Sequence, residues 1–196
     1  MRVFLPRIQI EYPDWVAQQI DWERRYLTLE KRMCLVIELA RENVQRETGG
    51  PFGAAVFESQ SGRLVSVGMN LVVPFCNSIL HAEIVALMMA HQQLRSFTLS
   101  SDSMPAHELV TSCEPCAMCL GAILWSGVKR VVFGASREDA IEIGFDEGPV
   151  FSESYEYLEV RGIEFVRDIC RAEARAVLDL YVRQGGVIYP RAQGPD

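Results

Sequence analysis

Ala54 to Met69 reads AAVFESQSGRLVSVGM. Ala54 to Glu58 and Arg63 to Met69 are apolar runs of strand length, and Ser59-Gln60-Ser61-Gly62 between them is the turn-rich connection of a hairpin. An antiparallel pair at this point excludes a purely parallel sheet. Downstream, Asn70 to Leu80 is a loop carrying Pro74, and His81 to about Arg95 reads as a helix. Ile84, Val85, Leu87, Met88 and Met89 make that helix apolar nearly all round, so it should lie buried between other elements. Ser96 to His107 reads as a surface loop, Glu108 to Thr111 as a strand, Cys116 to Trp125 as a helix stopped by Gly127, and Lys129 to Ala135 as a Val-rich strand.

Upstream, Asp14 is placed to cap a short helix over Trp15 to Ile20, and Thr28 to cap a longer one to about Glu47. In the latter, Met33, Val36, Ile37, Ala40 and Val44 recur at spacings of three and four, an apolar stripe facing a core. Thr48-Gly49-Gly50-Pro51 ends it. Toward the C-terminus, Ser136 to Ser154 is acidic and mixed, a loop with one short helix. Ile163 to Val166 can form a last strand, and Ala172 to Gln184 a last helix with Ala176, Val177 and Leu180 inward. Strands alternating with helices predict an α/β fold, a three-layer α/β/α sandwich around a mixed sheet of about five strands.

The 196 residues suit one domain with a sizeable core. The expected layout is an extension over residues 1–27, a core over 28–184 and a tail over 185–196. Acidic side chains number 26 against 19 basic, a net charge of −7. That balance argues against a general polyanion binder, which needs clustered Lys and Arg to neutralise phosphates, so nucleic acid is not the expected partner. No run approaches the ~18 apolar residues of a membrane span. The N-terminal MRVFLPR interrupts its apolar stretch too early for a secretory signal. Of the six cysteines, three fall between Cys113 and Cys119, a spacing that suggests reduced thiols and a metal site in a cytoplasmic protein.

His81-Ala82-Glu83 opens one helix, and Pro115-Cys116-Ala117-Met118-Cys119 opens another. Cys116 and Cys119 are three apart and share a helix face, in a first turn whose dipole favours thiolate over thiol. One His and two thiolates make a three-ligand set of the kind that keeps a fourth zinc position for water. Zinc brings the pKa of such a water to about 7. Glu83, two residues from His81, can reach it without being a ligand, and an unpaired carboxylate in an apolar helix has no ready structural explanation. H-x-E with P-C-x-x-C is the established signature of zinc deaminases. Cys113 is the one available fourth protein ligand, but it precedes Glu114-Pro115 and reads as a packed thiol at a strand end.

The chain resembles the cytidine deaminase-like superfamily of zinc-dependent nucleobase and nucleoside deaminases. The resemblance lies in Gly49-Gly50-Pro51-Phe52-Gly53, His81-Ala82-Glu83 and Thr111 to Gly121 (TSCEPCAMCLG), and spans roughly residues 30 to 150. Within the superfamily it looks most like the guanine deaminases, through Thr111 to Cys116, Trp125, and Gly144-Phe145-Asp146-Glu147. The resemblance implies one zinc per chain on His81, Cys116 and Cys119, and hydrolytic deamination of guanine to xanthine and ammonia. Glu83 is then the proton shuttle, and Glu147, where Asp is common, meets the substrate's N1–H and amino edge. Asn70 would hydrogen-bond the purine, and Phe52, Ala82, Trp125 and Tyr189 complete the implied substrate contacts. It also implies a homodimer whose C-terminal residues reach a shared site, making the tail a possible lid.

Other readings remain open at this stage. Another base is possible: adenosine in tRNA, cytosine or cytidine, or a guanine-like aminotriazine. So is a zinc-binding module without turnover, although such a module has no use for Glu83. Phe52 and Trp125 either stack on a purine or fill the core. His91 and His107 read as surface residues, and Cys34, Cys76 and Cys170 as small apolar fillers.

Overall fold

A computed structural model describes residues 7–189. The elements run α1 (Trp15–Gln19), α2 (Leu29–Gln45), β1 (Gly53–Glu58), β2 (Leu64–Met69), α3 (Ala82–Leu94), β3 (His107–Cys113), α4 (Ala117–Ser126), β4 (Arg130–Ala135), α5 (Arg137–Glu142), α6 (Ser152–Val160), β5 (Glu164–Val166) and α7 (Arg171–Arg183). One five-stranded sheet has the order β2-β1-β3-β4-β5. The hairpin is antiparallel, with Ala54 opposite Gly68, and β1 also runs antiparallel to β3, with Ala54 opposite Thr111. The pairs β3–β4 and β4–β5 are parallel, so the sheet is mixed, as the hairpin requires.

Strand alternation divides the core into two layers. Ala55, Phe57, Val110 and Val132 point into a cluster with α1, α2 and α7. Ala54, Val56, Leu109, Val131 and Phe133 point the other way, toward α3, α4 and α6. Gly68 sets how closely α3 approaches: a Cβ there would stand 2.1 Å from the Ala82 carbonyl oxygen and 2.5 Å from the Ala86 nitrogen. Gly127 ends α4 at φ 87, the left-handed conformation glycine reaches without strain. A buried ion network ties α2 to the sheet: Glu108 on β3, fully buried, pairs with both Arg32 and Arg130. Arg32 also donates from Nε to the Tyr26 carbonyl at 2.7 Å.

Several sequence expectations need correction. Thr28 does cap α2, accepting from the Lys31 amide at 3.3 Å, but Asp14 makes no side-chain cap. Ser136–Ser154 is not a loop with one helix: α5 carries a Ser136/Asp139 capping box, and a second helix, α6, starts at Ser152. On α7 the inward residues are Ala174, Val177, Leu178 and Tyr181; Ala176 is exposed and Leu180 only half-buried. Met88 leaves one side of α3 open. His107 is buried and donates from Nδ1 to the Leu99 carbonyl at 2.9 Å, while His91 is half-buried. Cys34 and Cys76 are exposed and Cys170 half-buried, so none is a core filler. Part of the extension joins the core: Trp15 and Val16 are buried, and the Tyr12 hydroxyl donates to the Val67 carbonyl at 2.7 Å.

Candidate active site

The two sheet-facing helices α3 and α4 converge at their N-termini. His81 is the N-cap of α3 and Cys116 the N-cap of α4, each with extended backbone and no side-chain capping bond, so both side chains are free to ligate. Cys119 lies one turn along. His81 Nδ1 is 3.5 Å from Cys116 Sγ and 3.7 Å from Cys119 Sγ. Ligand bonds of about 2.05 Å to nitrogen and 2.3 Å to sulfur at tetrahedral angles give an N···S edge of about 3.6 Å. The three donors therefore already stand at zinc spacing, and among the described residues they are the one such cluster of His, Cys, Asp and Glu. Cys113 is outside it: its Sγ faces the Ser136 carbonyl at 3.6 Å.

The thiols and carboxyls are strongly perturbed. The Cys116 thiol is lowered to about 4, first by the hydrogen bond from Cys119 and then by that with His81. Burial works against the His81 cation, but the bond to Cys116 and the nearby Glu83 and Glu147 outweigh it and raise the imidazole. Burial lifts the Glu83 carboxyl to about 7, helped by the adjacent Cys116. The same two causes, with Glu83 added, lift Glu147 to about 8. So much negative charge in a buried space, carried by groups with donor sets of this kind, fits a divalent cation, whose charge reverses the penalty.

A narrow cavity opens on these groups. Phe52, Asn70, His81, Glu83, Cys113, Glu114, Cys116, Glu147 and the tail's Tyr189 are among its walls. Its volume, about 30 Å³, is far below the roughly 300 Å³ or more of a typical ligand site. The Tyr189 hydroxyl donates to Asn70 Oδ1 at 2.6 Å, and the Val72 amide reaches the same oxygen at 3.3 Å. Asn70 is thereby held with its amide nitrogen unengaged. Phe52 meets Phe145 edge-on at 5.0 Å, and Phe145 meets Tyr189 edge-on at 5.6 Å.

Eight of the ten residues singled out from sequence thus meet around one cavity or at its metal cluster: His81, Cys116, Cys119, Glu83, Glu147, Asn70, Phe52 and, from the tail, Tyr189. Ala82 does not line the cavity; its side chain is fully buried, and only its amide, an orphan at the start of α3, is left to offer. Trp125 is neither core nor wall, standing 80% exposed on α4. Sequence reasoning missed the contacts of Glu114 and the edge-on packing of Phe145, both of which join residues far apart in the chain.

The family description of the cytidine and deoxycytidylate deaminase zinc-binding region matches residues 27–135. A solved structure of a guanine deaminase from Nitrosomonas europaea is 44% identical and covers 89% of this chain and 96% of its own, with a TM-score of 0.84. A mutant of NE0047 solved with 8-azaguanine is also 44% identical, covering 89% of this chain and 97% of its own at a TM-score of 0.84. A guanine deaminase from Bacillus subtilis (strain 168) is 39% identical over 129 residues, 66% of this chain and 78% of that protein. Zinc-site geometry, fold and sequence agree: the chain belongs to the cytidine and deoxycytidylate deaminase family of zinc-binding proteins.

Proposed function

We propose that this protein is a guanine deaminase that hydrolyses guanine to xanthine and ammonia. The observation that carries the reading is the pairing of a three-donor metal cluster with two perturbed carboxyls, Glu83 and Glu147, on one cavity. Likeness to guanine deaminases over most of the chain supports it. The residues that would hold zinc are His81, Cys116 and Cys119. Zinc, when bound, supplies the Lewis acidity that brings the pKa of a coordinated water near 7.

The chain's own residues do the rest. Glu83 takes a proton from the attacking water and gives it to the purine ring nitrogen beside C2. The C2–oxygen bond forms, the C2–N bond to the amine breaks, and the second water proton leaves with ammonia. Glu147 accepts the N1–H and amino donors of guanine. Adenine presents an acceptor at N1, which a buried carboxylate repels, so the same group discriminates between the purines. Asn70 donates to a purine acceptor with the amide that Tyr189 leaves free, and Phe52 packs on the ring. The Tyr189 side chain moves aside to admit the base and returns to close over it. Deamination of tRNA adenosine, of cytosine or of an aminotriazine is not favoured, because relatives with high identity and coverage are guanine deaminases.

Two further parts of the reading concern the whole molecule. We infer a homodimer that uses the α4–α6 face, where Trp125, Met118 and Tyr157 are exposed beside a shallow trough formed by Leu120, Gly121 and Leu124. Free cysteines fit a cytoplasmic location; among the described residues no helix is long and apolar enough to cross a membrane. The test of the reaction is ammonia release by the zinc-loaded protein from guanine, guanosine, adenine, adenosine, cytosine and cytidine in parallel. Guanine is expected to be turned over far faster than the others. Turnover confined to another base overturns the substrate assignment.

A further inference from the structure

We propose that Glu114, between the sheet and the metal-bearing turn, is a positioning residue that sets where Glu147 stands. The inference rests on the assignment of Glu147 to the substrate edge. Glu114 follows β3 and precedes Pro115-Cys116. Its Oε2 accepts the Arg137 amide, the first N–H of α5, at 3.0 Å. Its Oε1 accepts the Tyr155 hydroxyl from α6, and Arg167 Nη1 lies 3.5 Å away. The Arg167 guanidinium in turn sits 4.4 Å from the centre of the Tyr155 ring, which holds the group in place.

The converse contact comes from the segment that follows α5. The Glu147 carbonyl accepts the Ala117 amide, the first N–H of α4, at 3.0 Å. Each segment therefore closes the start of the other's helix: the residue before the metal turn closes α5, and the loop after α5 closes α4. These first amides have no partner inside their own helices, so each closure satisfies a donor that would otherwise be orphaned. Arg137 adds a second tie, donating from Nη1 to the Val150 carbonyl at 2.6 Å. Residue 147 is held at its own carbonyl by the α4 start and three residues later by the Arg137–Val150 tie; Glu114 anchors Arg137, which makes the second, and stands three residues before Ala117, which makes the first. A displacement of ~1 Å at a binding group costs up to ~100-fold in rate, which gives this anchorage a catalytic consequence.

The experiment uses the zinc-loaded full chain with Glu114→Ala and Glu114→Gln, each alone and combined with Glu147→Gln. Glu114→Ala is expected to lower kcat/KM for guanine ~10-fold or more, chiefly through KM, and to weaken 8-azaguanine binding by a similar factor. Glu114→Gln can still accept the Arg137 amide, so it should recover most of that loss. In the Glu147→Gln background, Glu114→Ala should cost no more than about twofold, because the group it positions is already disabled. The cobalt-substituted protein should keep one metal and an unchanged visible spectrum. Equal losses in both backgrounds overturn the proposal, since Glu114 then acts directly on substrate or through general stability. An altered cobalt spectrum also overturns it, because the effect then runs through Cys116. If Glu114→Ala does not fold, Tyr155→Phe removes one of the ties and must show the same non-additivity with Glu147→Gln at smaller size; additive behaviour refutes the idea. A wild-type protein that neither deaminates guanine nor binds 8-azaguanine refutes the guanine reading itself, a result separate from all of these.

Discussion

Glu147→Gln isolates the contact on which substrate choice depends in the proposed reaction. The carboxylate offers two acceptor oxygens to the paired N1–H and amino donors of guanine. The carboxamide offers one, and turns an N–H₂ toward the second donor. The variant loses one charge-assisted hydrogen bond, about 1.5–3 kcal/mol, and leaves a buried donor unpaired, about 1–3 kcal/mol. Glu147 is half-buried, so the lower part of that range applies, about 3–4 kcal/mol or 10²–10³-fold in kcat/KM. The shape of the side chain and the three metal donors are untouched. Xanthine formation measured at subsaturating and saturating guanine, with zinc content determined on the same samples, reads the effect. The loss should come with a narrowing of the guanine-to-adenine preference. A variant within fivefold of wild type at full zinc content would falsify the assignment of Glu147 to the substrate edge.

The remaining predictions concern the metal, acid stability and assembly. Metal analysis of purified variants should find close to one zinc per chain in wild type and in Cys113→Ser, and little in Cys116→Ser or Cys119→Ser; zinc loss on changing Cys113 would mean a closed four-ligand site. Asp139, ion-paired with Arg171 and Arg175, has its carboxyl held down to about 2, first by the Arg171 hydrogen bond. A folded pKa below the unfolded one stabilises fully above about pH 5 and is lost as pH falls through 4 toward 2. The stability gap between wild type and Asp139→Asn, at most roughly 2 kcal/mol in denaturant melts, should therefore roughly halve by pH 3; a gap that does not change with pH contradicts this. Sedimentation should give a dimer for wild type and a monomer for Trp125→Glu, since a buried charge at an aromatic anchor is costly. A variant that still sediments as a dimer would move the interface elsewhere.

Much of the fold was legible because the informative stretches are strongly patterned. The hairpin around Ser59-Gln60-Ser61-Gly62, the α2 stripe and the Val-rich β4 each have one clear period, and the sheet followed from their order. The metal site was legible because ligation demands particular residue types at particular spacings. What failed depended on tertiary context. Helix α6 was missed because its exposed Tyr157 and Val160 break the amphipathic pattern and the acidic residues around it mimic a loop. His107 looks polar in sequence yet is buried, since Leu99, eight positions earlier, supplies its hydrogen bond. Trp125 looked like core because large aromatics usually are, whereas its place on the outer side of α4 belongs to a surface. The Glu114 network joins residues as far apart as 114 and 167, a separation that no local pattern reveals.

In the proposed reaction Glu83 carries the proton of a zinc-dependent hydrolysis at this cluster. The most direct test compares wild type with Glu83→Gln, with zinc content, thermal stability and guanine turnover measured on the same preparations. Both proteins should hold about one zinc and melt alike, while the variant turns over guanine at least ~10²-fold more slowly, the usual size of a general acid–base contribution. Wild-type turnover by the variant at full zinc occupancy would contradict the claim and leave the reaction without its proton carrier.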